Sequence, residues 1–546
     1  MAVRLRASLL LVVGSAALGA LALPAATVSA HASLERSVPA ANAVLEDSPP
    51  EILLDFDEPI ESSVADIIVF DSGGTEIETG SPQPGDDSTQ ARASLPTLDD
   101  GVYAVVWRVT STDGHPVSGA FSFSIGVVGT GGDELVARVT AGGGDDGGLG
   151  WWYGFARFLS IAGAILLIGG GWWAFEASAQ RCPEVPRLRR VQSLLGAGAG
   201  MLIAGSIAAF ACFAARVGGG DTGDLLSSSG WSDALEVITG RMLLLRSLLG
   251  VMLTVLLVIR LAGRGAGTTW ALLALAGSVV TILTFSQSGH PNVQDPRALW
   301  VGVDALHLGA AMLWLGGAFV LTMAGRSVLT TDGGGALARR FSSVATIGVA
   351  VIVATGVAQT LKLSDDLDDL TATDWGQLLM TKIVLVVVIF AIAAVSRWLL
   401  MNDGAGSIMR TLVVEVVLGV AVVGLAATMV GQPPRPVVAA EPFEATLTAN
   451  DVIASLTVTP AIVGENEVHI VITPAGGSLT EVAGVTARVS LPAEEIPTSP
   501  VTLERLGPNH YSGVVTFPRA GEWTFEIVVQ VTESETALLS VTVPVS

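Results

Sequence analysis

His31 stands in TVSAHASLERSVPA, directly after a segment built like an export signal. Arg4 and Arg6 make a basic start, Leu9 to Leu23 an apolar run, and Val28, Ser29 and Ala30 the small residues that precede a cut. Removal of residues 1–30 as a signal peptide makes His31 the N-terminus. A free N-terminal histidine can chelate one metal ion through its α-amino nitrogen and its imidazole Nδ1. Such nitrogen pairs suit Cu(II), which favours tetragonal nitrogen and oxygen ligation and heads the divalent affinity order. In STDGHPVSGAFSF, Asp113 and His115 follow the alternating stretch Tyr103 to Val109 and precede Phe121, Phe123 and Ile125, so they fall at a turn or strand end. They add a carboxylate oxygen and a second imidazole. A lone Asp-x-His reads more readily as a turn with an exposed histidine. Its coincidence with a histidine at the cut favours the metal.

A second set of candidates lies in apolar surroundings, where ionisable side chains are costly and so point to function. Asp304 and His307 are three residues apart, on one face of a helix near its outer start, and His290 precedes them in the loop SQSGHPN. A relay of His290, Asp304 and His307 would suit a cation arriving from outside; a structural hydrogen-bonded pair beside a solvated histidine is the alternative. Met312 is turned about 140° from the His307 face. Glu415 and Met429 share a face of the last apolar stretch, as steps on a path rather than one site. Arg241, Arg246 and Lys382 read as snorkelling residues near outer ends, and Glu415 with Arg410 as a pair near the inner end. His469, on an alternating strand, and His510, in a turn, read as ordinary residues.

The elements that must position these groups belong to a membrane protein. Half of the 546 residues are hydrophobic, and the mean hydropathy of +0.61 is too high for a soluble chain. Lys and Arg number 28 against 50 Asp and Glu, which argues against a nucleic-acid partner and leaves an acidic surface that gathers cations. Cys182 and Cys212 fall in a predicted inner loop and a predicted span, so they build no disulfide framework or thiolate site.

Residues 31–126 alternate in short segments and read as a β-sandwich. Residues 127–150, with GTGGDE and AGGGDDGGLG, read as a glycine-rich linker. Between 151 and 430 eight stretches are long enough to cross a bilayer, near 151–175, 192–216, 240–262, 269–286, 298–324, 341–361, 376–400 and 409–430. The loops after odd-numbered stretches are basic, as in RCPEVPRLRR, and the alternate loops acidic, as in DTGDLLSSSGWSDALE and SDDLDDLTATD. Positive loops stay in the cytoplasm, so both ends lie outside a multi-pass plasma-membrane protein. After GQPPRPVV, residues 440–546 return to alternation and read as a second, Ig-like β-sandwich. The fold class is thus multi-domain: a β-sandwich, an all-α bundle of about eight transmembrane helices, and a second sandwich. No Walker loop, G-x-S-x-G elbow or H-E-x-x-H helix occurs, so neither an ATP-driven pump nor an enzyme is expected.

HASLERSVPAANAVLEDSPPEILLDFDEPI, followed by STDGHPVSGAFSFSIG, resembles the periplasmic copper-binding CopC family across residues 31–126. LHLGAAMLWLGG, GQLLMTKIVLVVVI and RTLVVEVVLGVAVVGLAATMV resemble the CopD copper-transport family, and AIVGENEVHIVITPAGG with PNHYSGVVTFPRAGEWTFEIVV is similar to YtkA-like domains. The resemblance implies a fused CopC and CopD protein. His31, Asp113 and His115 match the CopC family's Cu(II) ligands, and copper is the implied transported ion. Some CopC proteins also hold Cu(I) at methionines, but residues 31–126 contain none, so only Cu(II) is expected there.

The expected function is capture of Cu(II) outside the cell and its passage to the membrane domain for uptake, serving copper homeostasis or resistance. Copper and the lipid bilayer are the expected partners; an extracellular copper chaperone or a reductase would be a protein partner, and no residue identifies one. Two other functions stay open. A copper-dependent oxidase with an N-terminal histidine centre, as in lytic polysaccharide monooxygenases, needs an open position for oxygen, where Asp113 offers an extra anionic ligand. A membrane redox or haem protein with an attached copper sensor needs paired axial histidines, and only His307 is clearly intramembrane.

Overall fold

The computed structural model describes residues 34–41, 43–45, 47–112, 114, 116–126, 132–140, 148–219, 222–264, 267–363, 369–429, 443–449, 452–459, 461, 463–473, 481–494, 496–532 and 535–545. The expected signal peptide and His31, Asp113 and His115 lie outside the described residues.

In the N-terminal region, alternation along β8 (Gly101–Thr110) puts Tyr103, Val105, Trp107 and Val109 on the buried face. In β3 (Glu51–Phe56), Ile52, Leu54 and Phe56 are likewise buried, and the opposite-parity residues stay partly exposed. Phe56 meets Trp107 edge to face at 5.2 Å, a favoured geometry of aromatic quadrupoles. Two sheets result. One orders β1 (Leu34–Val38), β3, β7 (Gln90–Ser94) and β6 (Gln83–Pro84); the other orders β2 (Val44–Leu45), β9 (Pro116–Ile125), β8, β4 (Asp66–Phe70) and β5 (Glu76–Ile77).

The glycine-rich segment is not a tether throughout. Its described part, Gly132–Thr140, is a helix packed on β8 with Leu135 buried. GDELVARVT carries enough apolar residues on one face to dock, a local departure that glycine content over the whole segment conceals.

Among the described residues eight helices are long and apolar enough to cross a membrane: Leu149–Ala179, Arg189–Gly218, Ile238–Leu261, Thr268–Ser286, Arg297–Ala324, Asp332–Leu363, Asp374–Asn402 and Met409–Met429, called spans one to eight. Their apolar cores agree with the sequence boundaries, and the fourth is the shortest of the eight at 19 residues. Span one carries a π-helical turn, Ile165–Gly169, where it crosses span five. A Cβ on Gly169 would lie 1.9 Å from the Met312 carbonyl oxygen, and one on Gly316 2.5 Å from Gly169. Small residues allow this approach, as is usual where helices pack in lipid. Trp173 Nε1 donates across the same crossing to the Leu313 carbonyl at 2.8 Å.

In the C-terminal region, β10 (Phe443–Ala449), β11 (Val452–Thr459), β12 (Gly464–Thr473), β15 (His510–Phe517), β14 (Ile496–Gly507), β13 (Gly484–Leu491), β16 (Gly521–Thr532) and β17 (Glu535–Val545) follow one another as antiparallel neighbours. β10 and β17 also pack together, so the sandwich closes nearly to a barrel around Leu456, Ile470, Phe517, Phe525 and Ile527.

Candidate functional site

Spans five and six pack against each other along their length. Span five presents Asp304 and His307 one turn apart, and span six answers with Gln359 and Thr355, also one turn apart. Gln359 Nε2 donates to Asp304 Oδ1 at 3.1 Å. His307 Nδ1 lies 2.9 Å from Thr355 Oγ1, whose hydroxyl donates its one proton to the Val351 carbonyl at 2.6 Å. Thr355 must therefore accept from the ring, which puts the proton of a neutral His307 on Nδ1 and leaves a lone pair on Nε2.

Two further groups complete this cluster. His290, in a short turn His290–Asn292 ahead of span five, lies within electrostatic reach of Asp304. Lys382 of span seven lies within reach of both Asp304 and His307. The expectation that Lys382 merely snorkels is therefore incomplete, because its charge faces the cluster. One signal for it was present: Lys362 and Lys382 are the only lysines in the chain. Thr355 and Gln359 carried no such signal, being ordinary polar residues on a long helix.

The other membrane candidates lie apart from the cluster. Glu415 is buried and accepts from Ser396 Oγ at 2.5 Å. Arg410 is exposed and forms no ion pair with Glu415 among the described residues, against the expected pairing. Two hydroxyl-bearing helix faces, with Thr411 2.6 Å from Ser396, meet the carboxyl group instead. Glu415 also lines a cleft with Trp314, Phe390 and Arg397. Met429 packs against Trp375 and Leu379, about 20 Å from Glu415 along the helix; the two share a helix, not a site. Arg246 does not snorkel. It is buried, donates to Thr284 Oγ1 at 3.0 Å, the Thr284 carbonyl at 2.8 Å and Ser288 Oγ at 2.9 Å, and lies over the Phe285 ring at 3.6 Å. This clamp ties span three to span four, since a guanidinium with several donors is better satisfied by fixed acceptors than by extension to an interface.

The candidate copper ligands lie outside the described residues; near two of them Ser111, Thr112, Gly114 and Pro116 are described. Gly114 N donates to the Ser111 carbonyl at 2.8 Å, and Gly114 adopts φ +93°, a conformation glycine tolerates without strain. Segment Ser111–Pro116 belongs to the same compact unit as the helices. Within that unit Asn292 Nδ2, two residues from His290, donates to the Thr112 carbonyl at 3.4 Å. Among the described residues no three His, Cys, Asp or Glu side chains form a group able to hold a metal.

His469 and His510 are not isolated. On adjacent strands β12 and β15, His469 opposes Ser512 and Val471 opposes His510, so the rings meet diagonally. His469 Nδ1 lies 3.3 Å from His510 Nε2, and His469 Nε2 lies 2.9 Å from Glu467 Oε1. Burial, and secondarily His469, push the His510 pKa down to about 4. The unfolded chain then binds this proton near pH 6.5 and the folded chain does not, so stability falls as pH drops from about 6.5 to about 4. The full effect is about 3 kcal/mol. Thermal unfolding of the C-terminal domain in the chelator-treated protein should show it, and His510→Gln should flatten the dependence; an equally steep profile in that variant would assign it to another group.

Membrane-length helices that enclose histidine, aspartate and lysine, with β-sandwiches at either end, define a polytopic protein with an ionisable cluster in its bundle. The chain matches the CopC domain over residues 34–126, the copper resistance protein D-like N-terminal domain over 146–296 and copper resistance protein D over 335–429. It is 28% identical over 471 residues to the copper transport protein CutJ of Bacillus subtilis, covering 83% of each chain. It is 33% identical over 102 residues to protein YobA of Escherichia coli, covering 18% of this chain and 82% of that one. Crystalline CopC from Methylosinus trichosporium OB3b is 29% identical and is matched over 93% of its length and 17% of this chain, with a TM-score of 0.17. The chain thus joins a CopC domain and copper resistance protein D domains in one sequence.

Proposed function

We propose that this protein captures Cu(II) outside the cell at His31, Asp113 and His115 and passes copper to the helical bundle, which moves it inward. The observation that carries this function is the His307 ring, held by Thr355 with its Nε2 lone pair unspent, one turn from the Asp304 carboxylate. Imidazole is a competent copper ligand in either oxidation state, and the carboxylate offsets the cost of bringing a cation into a low-dielectric region. Lys382 balances Asp304 when no ion is present, so an arriving cation takes over a charge interaction already built into the bundle. His290, within electrostatic reach of Asp304, supports an entry at that end of span five. The basic odd-numbered loops support the orientation with capture outside. The two domain matches and the name of the Bacillus relative support copper as the cargo.

The test is cellular copper content with and without the protein, at low and high external copper. Import predicts faster accumulation in cells that carry the chain, with the largest ratio at low external copper. Equal or lower content under both conditions would reverse the assigned direction.

A further inference from the structure

Strands β12 and β15 of the C-terminal sandwich hold two largely buried imidazoles that copper capture and membrane passage leave unused. Their facing nitrogens, His469 Nδ1 and His510 Nε2, are 3.3 Å apart. Two nitrogens bound to one tetrahedral ion at about 2.0 Å lie about 3.3 Å from each other, so the rings already hold the spacing of a shared ion. Glu467 supplies the other feature of such sites. Its Oε1 is 2.9 Å from His469 Nε2, where it accepts that nitrogen's proton, sets the tautomer and turns the Nδ1 lone pair toward His510. Ser512 Oγ lies 3.4 Å from the same carboxylate oxygen and donates to it. Paired strands β12 and β15 carry all four residues, so a rigid sheet sets the geometry.

We propose that His469 Nδ1 and His510 Nε2 form a second metal site, for a d10 ion such as Cu(I) or Zn(II), with Glu467 as its positioning residue. Without the ion, His510 Nε2–H donates to His469 Nδ1. On binding, the His510 proton moves to its own Nδ1 through solvent and frees the Nε2 lone pair, so both rings remain neutral and no net proton is released. Since no third His, Cys, Asp or Glu joins them among the described residues, water fills the remaining positions and the ion stays exchangeable.

The test uses the full-length protein in detergent with His31→Ala, His115→Ala and His307→Ala, which remove the imidazoles of the N-terminal and bundle sites proposed above, and titrates it with Zn(II) alone and, without oxygen, with Cu(I) alone against a competing chelator. One bound equivalent is expected. His469→Gln and His510→Gln should each weaken it at least about tenfold, since even outer-shell changes cost 10- to 100-fold. Glu467→Gln should weaken it by about tenfold with the metal-free unfolding temperature unchanged. Whichever ion is held more tightly identifies the preferred occupant. Equal affinities in the parent and both histidine variants, for both ions, would overturn the proposal. Should either variant fail to fold, X-ray absorption of the zinc-loaded parent that lacks His31, His115 and His307 decides instead: two imidazole nitrogens at about 2.0–2.1 Å are expected, and a shell without imidazole overturns the site. The outcome is independent of transport, since it reads binding at β12 and β15 and not copper accumulation.

Discussion

One extra residue ahead of His31 is expected to cost the protein its tight Cu(II) binding, a loss of more than about a hundredfold. The extension turns the α-amino group into an amide, which no longer offers a basic lone pair, and it breaks the six-membered chelate with the His31 imidazole. Changes confined to the groups around a metal's ligands already cost 10- to 100-fold, so loss of a ligand together with its chelate ring should exceed that range. His115→Ala and Asp113→Asn should each weaken binding as well, since they remove the second imidazole and the carboxylate charge. The measurement is a Cu(II) competition titration with the absorption and paramagnetic resonance spectra recorded in parallel. Unchanged affinity and an unchanged spectrum in the extended protein would sink the ligand set.

A second large effect is expected within the bundle. His307→Ala should bring copper accumulation down to the level of cells without the protein, while Cu(II) capture by His31, Asp113 and His115 stays intact. The ring's Nδ1 is committed to Thr355, and its Nε2 is the proposed ligand. Asp304→Asn should act in the same direction, because an amide cannot offset the charge of a cation in a low-dielectric region. Thr355→Val should produce a smaller loss: the imidazole remains, but nothing fixes its tautomer. Accumulation is measured beside membrane insertion and Cu(II) binding. A His307→Ala protein that inserts normally and still accumulates copper at the wild-type rate would reduce the pair to a structural hydrogen bond.

Much of this architecture is written in local patterns. A helix rises about 1.5 Å per residue and must cover about 30 Å of hydrocarbon, so apolar length alone exposes each span. Alternation in GVYAVVWRVT sorts Tyr103, Val105, Trp107 and Val109 onto one face because strand side chains repeat every two residues. The spacing of Asp304 and His307 likewise places them together on a helix without knowledge of any neighbour. The departure at Gly132–Thr140 is the local rule applied over too long a window: the glycines lie mostly around that short stretch, and its own leucine and valines suffice to dock it.

The sequence by itself therefore determined which segments are long and apolar enough to cross a membrane and which fold as sheets. Only the tertiary structure decided what those residues meet. His307 finds Thr355 48 residues away, Asp304 finds Gln359 55 away, and Arg246 finds Thr284 38 away. His469 and His510, 41 residues apart, face each other because β12 and β15 are neighbours in a sheet whose strand order does not follow the chain. Periodicity records which face of an element is apolar, and so which face turns inward. It does not record which other element packs against that face, since many partners bury similar apolar area. The choice among them rests on close approaches such as Gly169 to Gly316 and on hydrogen-bond pairing that exists only after the elements have met.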